Sequence, residues 1–449
     1  MSVEKKKMSI VTKMMISVFG GMVCGVLLIL LRQALLGGGA ENVWEIVNKL
    51  LFQDVTADTG FNSIGLFYII GQLFMHGLQL AIVPLVLVSL SLAICSLADP
   101  ERLGKIAGKT FVCYICFYVV CAALACAAAY FVKSMGWFNV NLPADIATDT
   151  VATMEGYNVL STIVNAVPSN ITAVFSTNTS ILAVCVVAVI IGLCMTRLPE
   201  KTAPLKAVLE SVNEIVLYFL NFLINKCSPI AIFCMITRAF AVYGVEYIAP
   251  TLVWMVSTIV VSLVLVCTVY PIGILVTTGL NPIPFMKKSF KIGLFAAATN
   301  SSAATLPLNT ETCINELGCS EEISSFILPT GMTINMNGTT AMHMMAVTFI
   351  ATAAGINITP ANLALAAFLS ICTAMGTPAI PVAGTTMVYV VMMGLGFSSE
   401  LCMVGYALVL AMNYLPGMAV ITLNVIGDAA TNVIVNFKEG VLNKDKYNS

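Results

Sequence analysis

Charge is what this chain has least of. Of 449 residues, 21 are Lys or Arg and 22 are Asp or Glu, 10% in all, and the formal net charge is -1. A soluble globular domain carries about 25% charged residues. With 59% hydrophobic residues and a mean hydropathy of +0.96, this chain cannot clothe a water-facing surface. The expectation is an all-α polytopic membrane protein with membrane lipid as a partner and no nucleic-acid partner.

Histidine is nearly absent. His76 and His343 are the two in the chain, and neither stands in H-E-x-x-H or another ligand spacing, which argues against a protein-held zinc. Paired intramembrane acids are also missing, and Ser301 and Ser302 have no evident base, so an intramembrane hydrolase, and with it an enzyme, is not expected. Cysteine is plentiful at 15, but scattered singly through apolar stretches. The one C-x-x-C, Cys113 to Cys116, has neither a second pair nor a nearby His and reads as packing, as do the 24 methionines.

The longest absence marks the most informative stretch. From Ile323 to Ser399, 77 consecutive residues contain no Asp, Glu, Lys or Arg. Inside them stands PTGMTINMNGTT, Pro329 to Thr340, with one proline, two glycines, two asparagines and four threonines. Hydrocarbon offers a broken helix no hydrogen-bond partners, so such a break survives at membrane depth only where protein or a polar cavity covers it. The carbonyl of Gly331 and the side chains of Thr333, Asn335 and Thr339 are hard oxygen donors suited to a small hard cation. A Pro/Gly kink whose Thr and Asn side chains bond neighbouring helices is the plainer reading of the same residues.

The rest of the chain divides into apolar runs. Spans are expected at Met14–Leu31, Ile64–Leu97, Thr110–Val132, Ile181–Met195, Val208–Val242 and Pro250–Thr277. The first is too long for a signal-peptide core and lacks a small-residue cleavage site. Gly37 to Asp58 is expected as an outer loop, and Lys133 to Thr179 as a long polar one. Of the 21 basic residues, 16 fall at the amino terminus, after spans two and four, before the 290s segment or in the tail, one side of the membrane if spans alternate. The positive-inside rule makes that side, and both termini, cytoplasmic.

Two segments do not suit single spans. Pro284–Leu317 holds about ten helical residues, then TNSSAAT at Thr299 to Thr305, then about ten more. A half-helix of that length covers ~15 Å of a ~30 Å core, which predicts a re-entrant hairpin with a Ser/Thr tip. Ala361–Gly396 repeats the plan, with Thr359 and Pro360 as a helix start and MGTPAIPVAG, Met375 to Gly384, as the tip. Each is followed by one full span, Glu321–Ala354 opened by Ser320 and Glu400–Gly427 opened by Ser398 and Ser399. A hairpin returns to the side it entered, so the intervening span makes the second enter from the opposite side. The result is an inverted repeat of eight transmembrane helices plus two re-entrant hairpins, the construction of secondary transporters. Asp428, the only acid between Glu400 and Glu439, is either a helix-end residue at the inner surface or a deep carboxylate with Asn424 one turn before it.

The stretches IVPLVLVSLSLAICSLADPERLGKIAGK, VPSN at Val167 to Asn170, SPI at Ser228 to Ile230, SSAATLP, GMTINMNGT, GTPAIP and NVIGD, in this order along nearly the whole chain, resemble the sodium:dicarboxylate symporter family, which includes glutamate and neutral amino acid transporters. The resemblance implies a cation-coupled symporter in the plasma membrane, a homotrimer, and an elevator movement of a transport domain against a scaffold. The scaffold would comprise residues 1–109 and 133–249, the latter with the outer loop. The transport domain would comprise 110–132 and 250–437, and 438–449 would be a cytoplasmic tail. The same resemblance implies Na+ as coupling ion and no further cofactor. One sodium would be held by Asn335 and Asp428 with carbonyls of Gly331 and Asn424, a second among Thr333, Met336 and carbonyls of Ala374, Met375 and Thr377. A substrate carboxylate would meet Ser301, Ser302 and Asn424, with Thr339, Ile380 and Gly384 completing the pocket.

Departures from the family pattern are equally pointed. Gly417 stands where amino acid carriers place an Asp, Val420 where acidic-substrate members place an Arg, and Asn413 is the polar group left on that wall. Asn337 replaces the acid of NMDGT, and Phe117 and Tyr118 replace a Thr-Ser pair, so a third sodium site is not implied. Losing two buried charges of opposite sign leaves a self-consistent pocket for a solute with one carboxylate and few other charges. Lys226 and Arg238 in the fifth span read as snorkelling or scaffold pairing, with Arg238 the one residue able to supply a positive charge to the pocket. An ion channel, or an exchanger or receptor on the same fold, would use the same broken helices.

Overall fold

A computed structural model describes residues 10–56, 60, 62–97, 100–140, 167–176, 181–244, 246–377 and 383–449. Among them the secondary structure is helical, with no strand. The first half holds α1 (Ile10–Gly37), α2 (Glu41–Leu51), α3 (Leu66–Leu97), α4 (Pro100–Ser134), α5 (Ile171–Phe175), α6 (Ile181–Arg197), α7 (Pro199–Phe222) and α8 (Ser228–Tyr243). The second holds α9 (Ile248–Thr278), α10 (Pro282–Thr299), α11 (Ser302–Asn315), α12 (Glu321–Ile334), α13 (Asn337–Ala353), α14 (Pro360–Met375), α15 (Ala383–Gly394), α16 (Glu400–Met412), α17 (Tyr414–Lys438) and α18 (Lys444–Asn448). Among the described residues six stretches are long and apolar enough to cross a membrane: Ile16–Gly37, Leu66–Cys95, Lys105–Ser134, Pro199–Val242, Ile248–Thr278 and Tyr414–Lys438. The protein is a multi-pass membrane protein.

The expected spans mostly coincide with these helices. The fifth runs through α7 and α8 by way of a π-helical turn, Leu223–Cys227, rather than a loop. The π turn leaves Lys226 exposed on the outer side of the bundle, consistent with snorkelling. The expected outer loop after α1 contains an unforeseen amphipathic helix, α2, with the acidic Glu41 in its first turn and a Glu45–Lys49 pair one turn apart.

One expectation needs correction and two gain detail. The half-helices of the two odd segments are longer than ten residues: α10 and α11 have 18 and 14, α14 and α15 have 16 and 12. At 1.5 Å per residue the longest reaches roughly 27 Å, still short of a ~30 Å core. The segment Glu400–Gly427 is interrupted part-way. Asn413 separates α16 from α17, because Pro416 at the start of the new helix cannot donate the amide that would continue the old one. Asp428 therefore lies in the middle of α17, 3% exposed, and not at a helix end on the inner surface. Finally, the segment after α17 is docked on the bundle: Asn443 N–H donates to Gly318 O, Tyr447 OH donates to Asn281 O at 2.9 Å, and Lys288 Nζ reaches the carbonyls of Lys446 and Tyr447.

Helix starts follow the expected chemistry. Thr359 caps α14 in a full capping box with Asn362, and Ser399 caps α16 by accepting from Cys402 N–H. Ser320 precedes α12 without a side-chain cap, and its own N–H is bound by Asn436 Oδ1. Helix packing separates the elements into two groups. α1, α3, α6, α7 and α8 pack among themselves, whereas α4 packs with α13 and the helices from α9 to α17. α10 packs on α11, α14 packs on α15, and α17 threads between α9, α10, α12 and α13.

Candidate functional site

The break between α12 and α13 falls at Asn335 and Met336, neither of which has helical backbone angles. Protein covers it on every side. Tyr118 OH donates to Ile334 O and accepts from Met336 N–H at 2.7 Å, so one phenol from α4 satisfies both ends of the interruption. Tyr114, one turn earlier, donates to Ile327 O at 2.8 Å. Burying an interrupted backbone is tolerable because these hydroxyls replace the lost helical bonds.

Asn335 Nδ2 donates to Asp428 Oδ1 at 2.9 Å. Among the described residues no basic side chain lies within ion-pair distance of Asp428. A buried carboxylate held by an amide alone is costly and calls for a cation or a proton. Gly331 belongs to the same cluster: a Cβ there would meet Tyr114 OH at 2.7 Å and press on the Asp428 carboxylate. The missing side chain is what lets α12 approach α17. Asn337 Nδ2 donates to Asn335 Oδ1 at 2.9 Å and to Tyr270 OH at 3.1 Å, and Tyr270 OH donates to Leu423 O. Tyr270, from α9, has no counterpart in the sequence-derived set; a lone tyrosine in an apolar helix carries no signal.

One turn from Asp428, Asn424 Oδ1 accepts from Gly338 N–H at 2.7 Å and Nδ2 reaches Thr339 Oγ1 at 3.4 Å. These residues border a cavity of about 40 Å³, space for roughly three water-sized groups at ~10–15 Å³ each. Ser302, Thr339, Gly384, Asn413, Gly417, Val420 and Asn424 all line it, together with Met336 and Thr377 from the expected second cation set. None of its lining residues is ionisable. Ser302 opens α11 and Gly384 lies in the first turn of α15, so two helix N-termini converge on the cavity, an arrangement that favours an anionic group. Among the described residues the buried oxygens Asn413 Oδ1 and Thr385 Oγ1 have no hydrogen-bond partner, polar capacity available to a ligand.

The other expected residues distribute as follows. Ser301 is the N-cap of α11, accepting from Ala304 N–H, and stands beside the cavity lining rather than in it. Met336, Ala374 and Met375 pack together around Tyr118, whereas the Thr333 side chain is exposed and its hydroxyl turns back to Thr330 O. Ile380 lies outside the described residues. Arg238 does not reach the cavity. It donates to Phe52 O at 2.8 Å and to Glu400 Oε1 at 2.9 Å, and lies over the Tyr68 ring. The positive charge envisaged for the pocket is thus spent on the junction of α2, α3, α8 and α16.

Sequence reasoning missed Asn300 and undervalued His343. Asn300 ends α10 with φ +49, a left-handed conformation that Asn tolerates, and its amide would lie 3.2 Å from a Cβ at Gly417. His343 is fully buried with Nε2 2.8 Å from Gly384 O, which ties α13 to the second helix terminus at the cavity.

The profile of the sodium:dicarboxylate symporter family matches residues 10–437. A proton/sodium-glutamate symport protein of Bacillus caldotenax is 26% identical over 381 residues, 84% of this chain and 89% of the relative. A C4-dicarboxylate transport protein of Cupriavidus pinatubonensis is 24% identical over 380 residues, 84% and 86% of the two chains. Excitatory amino acid transporter 2 of Mus musculus is 28% identical over 240 residues, 53% of this chain and 41% of its own. The relatives are transporters and not enzymes. With nearly its whole length matched, this chain belongs to the sodium:dicarboxylate symporter family.

Proposed function

We propose that the protein is a Na+-coupled symporter that imports a small carboxylate-bearing solute, an amino acid or a carboxylate of low net charge, across the plasma membrane. The observation that carries this reading is the buried Asp428–Asn335 pair one helical turn from a cavity at which two helix N-termini meet. A cation at Asp428 neutralises its charge and completes the α12–α13 break with oxygen ligands from Asn335 and the carbonyls of Gly331 and Asn424. A solute carboxylate then takes the amide and hydroxyl donors of Ser302, Asn424 and Thr339, with the α11 and α15 termini facing it. The second cation set, Met336 with the Ala374, Met375 and Thr377 carbonyls, is part of the proposal. Thr333 enters it only if its hydroxyl leaves Thr330 O.

Asn337 speaks against a third cation at its own position. It turns amide N–H donors toward Asn335 Oδ1 and Tyr270 OH, where an acid would offer a cation its charge. The lack of any ionisable group in the cavity lining supports a solute with one carboxylate rather than glutamate or aspartate.

The proposed architecture has eight spans and two re-entrant hairpins, α10–α11 and α14–α15, in inverted repeat, with both termini cytoplasmic. The scaffold comprises residues 1–109 and 133–249, the moving transport domain 110–132 and 250–437, and three copies assemble through their scaffolds. The test is uptake into proteoliposomes. An inward Na+ gradient should drive accumulation of the solute above equilibrium, and the Asn335→Ala, Asp428→Ala double variant should abolish it. Flux without accumulation would instead identify a channel, and uptake only against internal solute an exchanger. Accumulation driven equally by a proton gradient would make the proton the coupling ion.

A further inference from the structure

A second concavity lies on the outer face of the α4, α9 and α17 group, away from the site above. It encloses about 660 Å³ between α4, α9 and α17, against about 40 Å³ for the site cavity, and falls within the ~300–1,000 Å³ of small-molecule sites. Its wall is apolar: Val112 and Val120 of α4 and Ile272 and Val276 of α9 are all exposed, Val276 at 76%. Gly108 and Gly273 deepen it by withholding side chains, and Gly273 cannot carry one, because a Cβ would meet the Phe117 ring at 2.7 Å. At one end stand Lys105 and Lys109 of α4, one turn apart, and Lys438 at the end of α17. Lys109 is paired with Glu439 at 2.7 Å. Lys105 and Lys438 are exposed and make no ion pair among the described residues, so two positive charges remain at the mouth.

We propose that this groove is a binding site for an anionic phospholipid, with its headgroup phosphate between Lys105 and Lys438 and one acyl chain laid along α4 toward Val120. Length and chemistry select this occupant. From Lys105 to Val120 the helix rises ~22 Å, enough to run from a headgroup past the middle of a ~30 Å hydrocarbon core. A soluble anion would use the lysines and leave the apolar trough unfilled, and a neutral lipid would fill the trough and leave the lysines unanswered. Basic residues at the membrane end of an interhelical groove attract acidic headgroups, each lysine by roughly fivefold in affinity. Because Cys113 and Phe117, which line the groove, stand one residue before Tyr114 and Tyr118 respectively, its occupant packs against the stretch of α4 that carries the phenols holding the α12–α13 break.

Native mass spectrometry of the purified full-length chain in mixed micelles tests the site, with phosphatidylglycerol and phosphatidylcholine offered at equal concentration. The wild type should retain phosphatidylglycerol preferentially. Lys105→Ala with Lys438→Ala should weaken that retention roughly 30-fold. Val276→Trp, which fills the trough and leaves the charges, should displace both lipids. Inorganic phosphate at the concentration of the lipid should not compete. Equal retention of the two lipids by the wild type, or unchanged retention in both variants, overturns the proposal, and efficient competition by phosphate reduces the groove to a soluble-anion site, which also overturns it. Melting temperature with phosphatidylglycerol, rising in the wild type and flat in the double lysine variant, separates lost binding from misfolding.

Discussion

Asp428 and Arg238 show how differently two buried-segment charges are resolved. Arg238 has Glu400, Phe52 O and the Tyr68 ring, whereas Asp428 has an amide. The charge with a partner is structural and the one without is the candidate for function. Asp428→Asn should raise the Na+ concentration for half-maximal uptake roughly 10- to 100-fold, the scale of one lost charge-assisted contact, and Na+ titration of transport or of melting temperature measures it. Arg238→Ala should leave solute and Na+ dependence unchanged and cost about 1 kcal/mol or less from its partly exposed pair, since Glu400 is 48% exposed; altered solute selectivity would reinstate it as a pocket residue. Gly417→Asp puts a carboxylate beside the Asn300 and Asn413 amides, where a Cβ has 3.2 to 3.4 Å of clearance. Uptake should shift toward ammonium-bearing solutes, measured by competition between an amino acid and its deaminated analogue.

Among elements, the α12–α13 break and the docked tail carry the most consequence. The break was legible in Pro329 to Thr340 because proline, glycine, asparagine and threonine crowded together without charges interrupt a helix that lipid would otherwise keep whole. Its closure was not legible: Tyr118 serves Met336 and Ile334 across more than 200 positions of chain, and no local spacing encodes that. The tail gives no local sign of docking, since a short polar segment with lysines has no apolar periodicity. It is held instead by Lys288 and by the fully buried Tyr447, whose phenol burial pushes up to about 12, with Cys319 adding to the rise. A tyrosine ionises near 10 when unfolded. Above that pH the released tail's Tyr447 binds fewer protons than the docked one's, so the Tyr447 contribution to docking should be lost progressively between pH 10 and 12. Hydrogen exchange at residues 443–449 across that range checks this, and Tyr447→Phe should remove the dependence.

At the scale of the molecule, two packed groups of helices meet along few contacts, and one of them is polar: Ser89 Oγ donates to Gly376 O at 2.6 Å, joining α3 to the turn after α14. An ideal Cβ at Gly376 would lie 3.2 Å from Ser89 Oγ. With the exposed Cys116, Cys194 and Cys267 replaced by Ser, the pair Ser89→Cys, Gly376→Cys should cross-link on oxidation. If one group slides against the other during transport, the oxidised protein should be inactive and reduction should restore it. Full activity of the cross-linked form would refute the elevator movement.

The sequence by itself determined the membrane setting, the positions of the breaks and the neutral character of the pocket, because hydropathy, helix-breaking residues and missing charges are local properties that lipid converts directly into structure. Only the tertiary structure decided that Asp428 is central, that Asn413 splits the last segment, that Arg238 is spent on Glu400, and that Tyr118, Tyr270, Asn300 and His343 support the site. Each of those outcomes depends on which distant helix lies opposite. In a chain that is apolar almost throughout, polar partners rather than hydrophobic periodicity specify which helix that is.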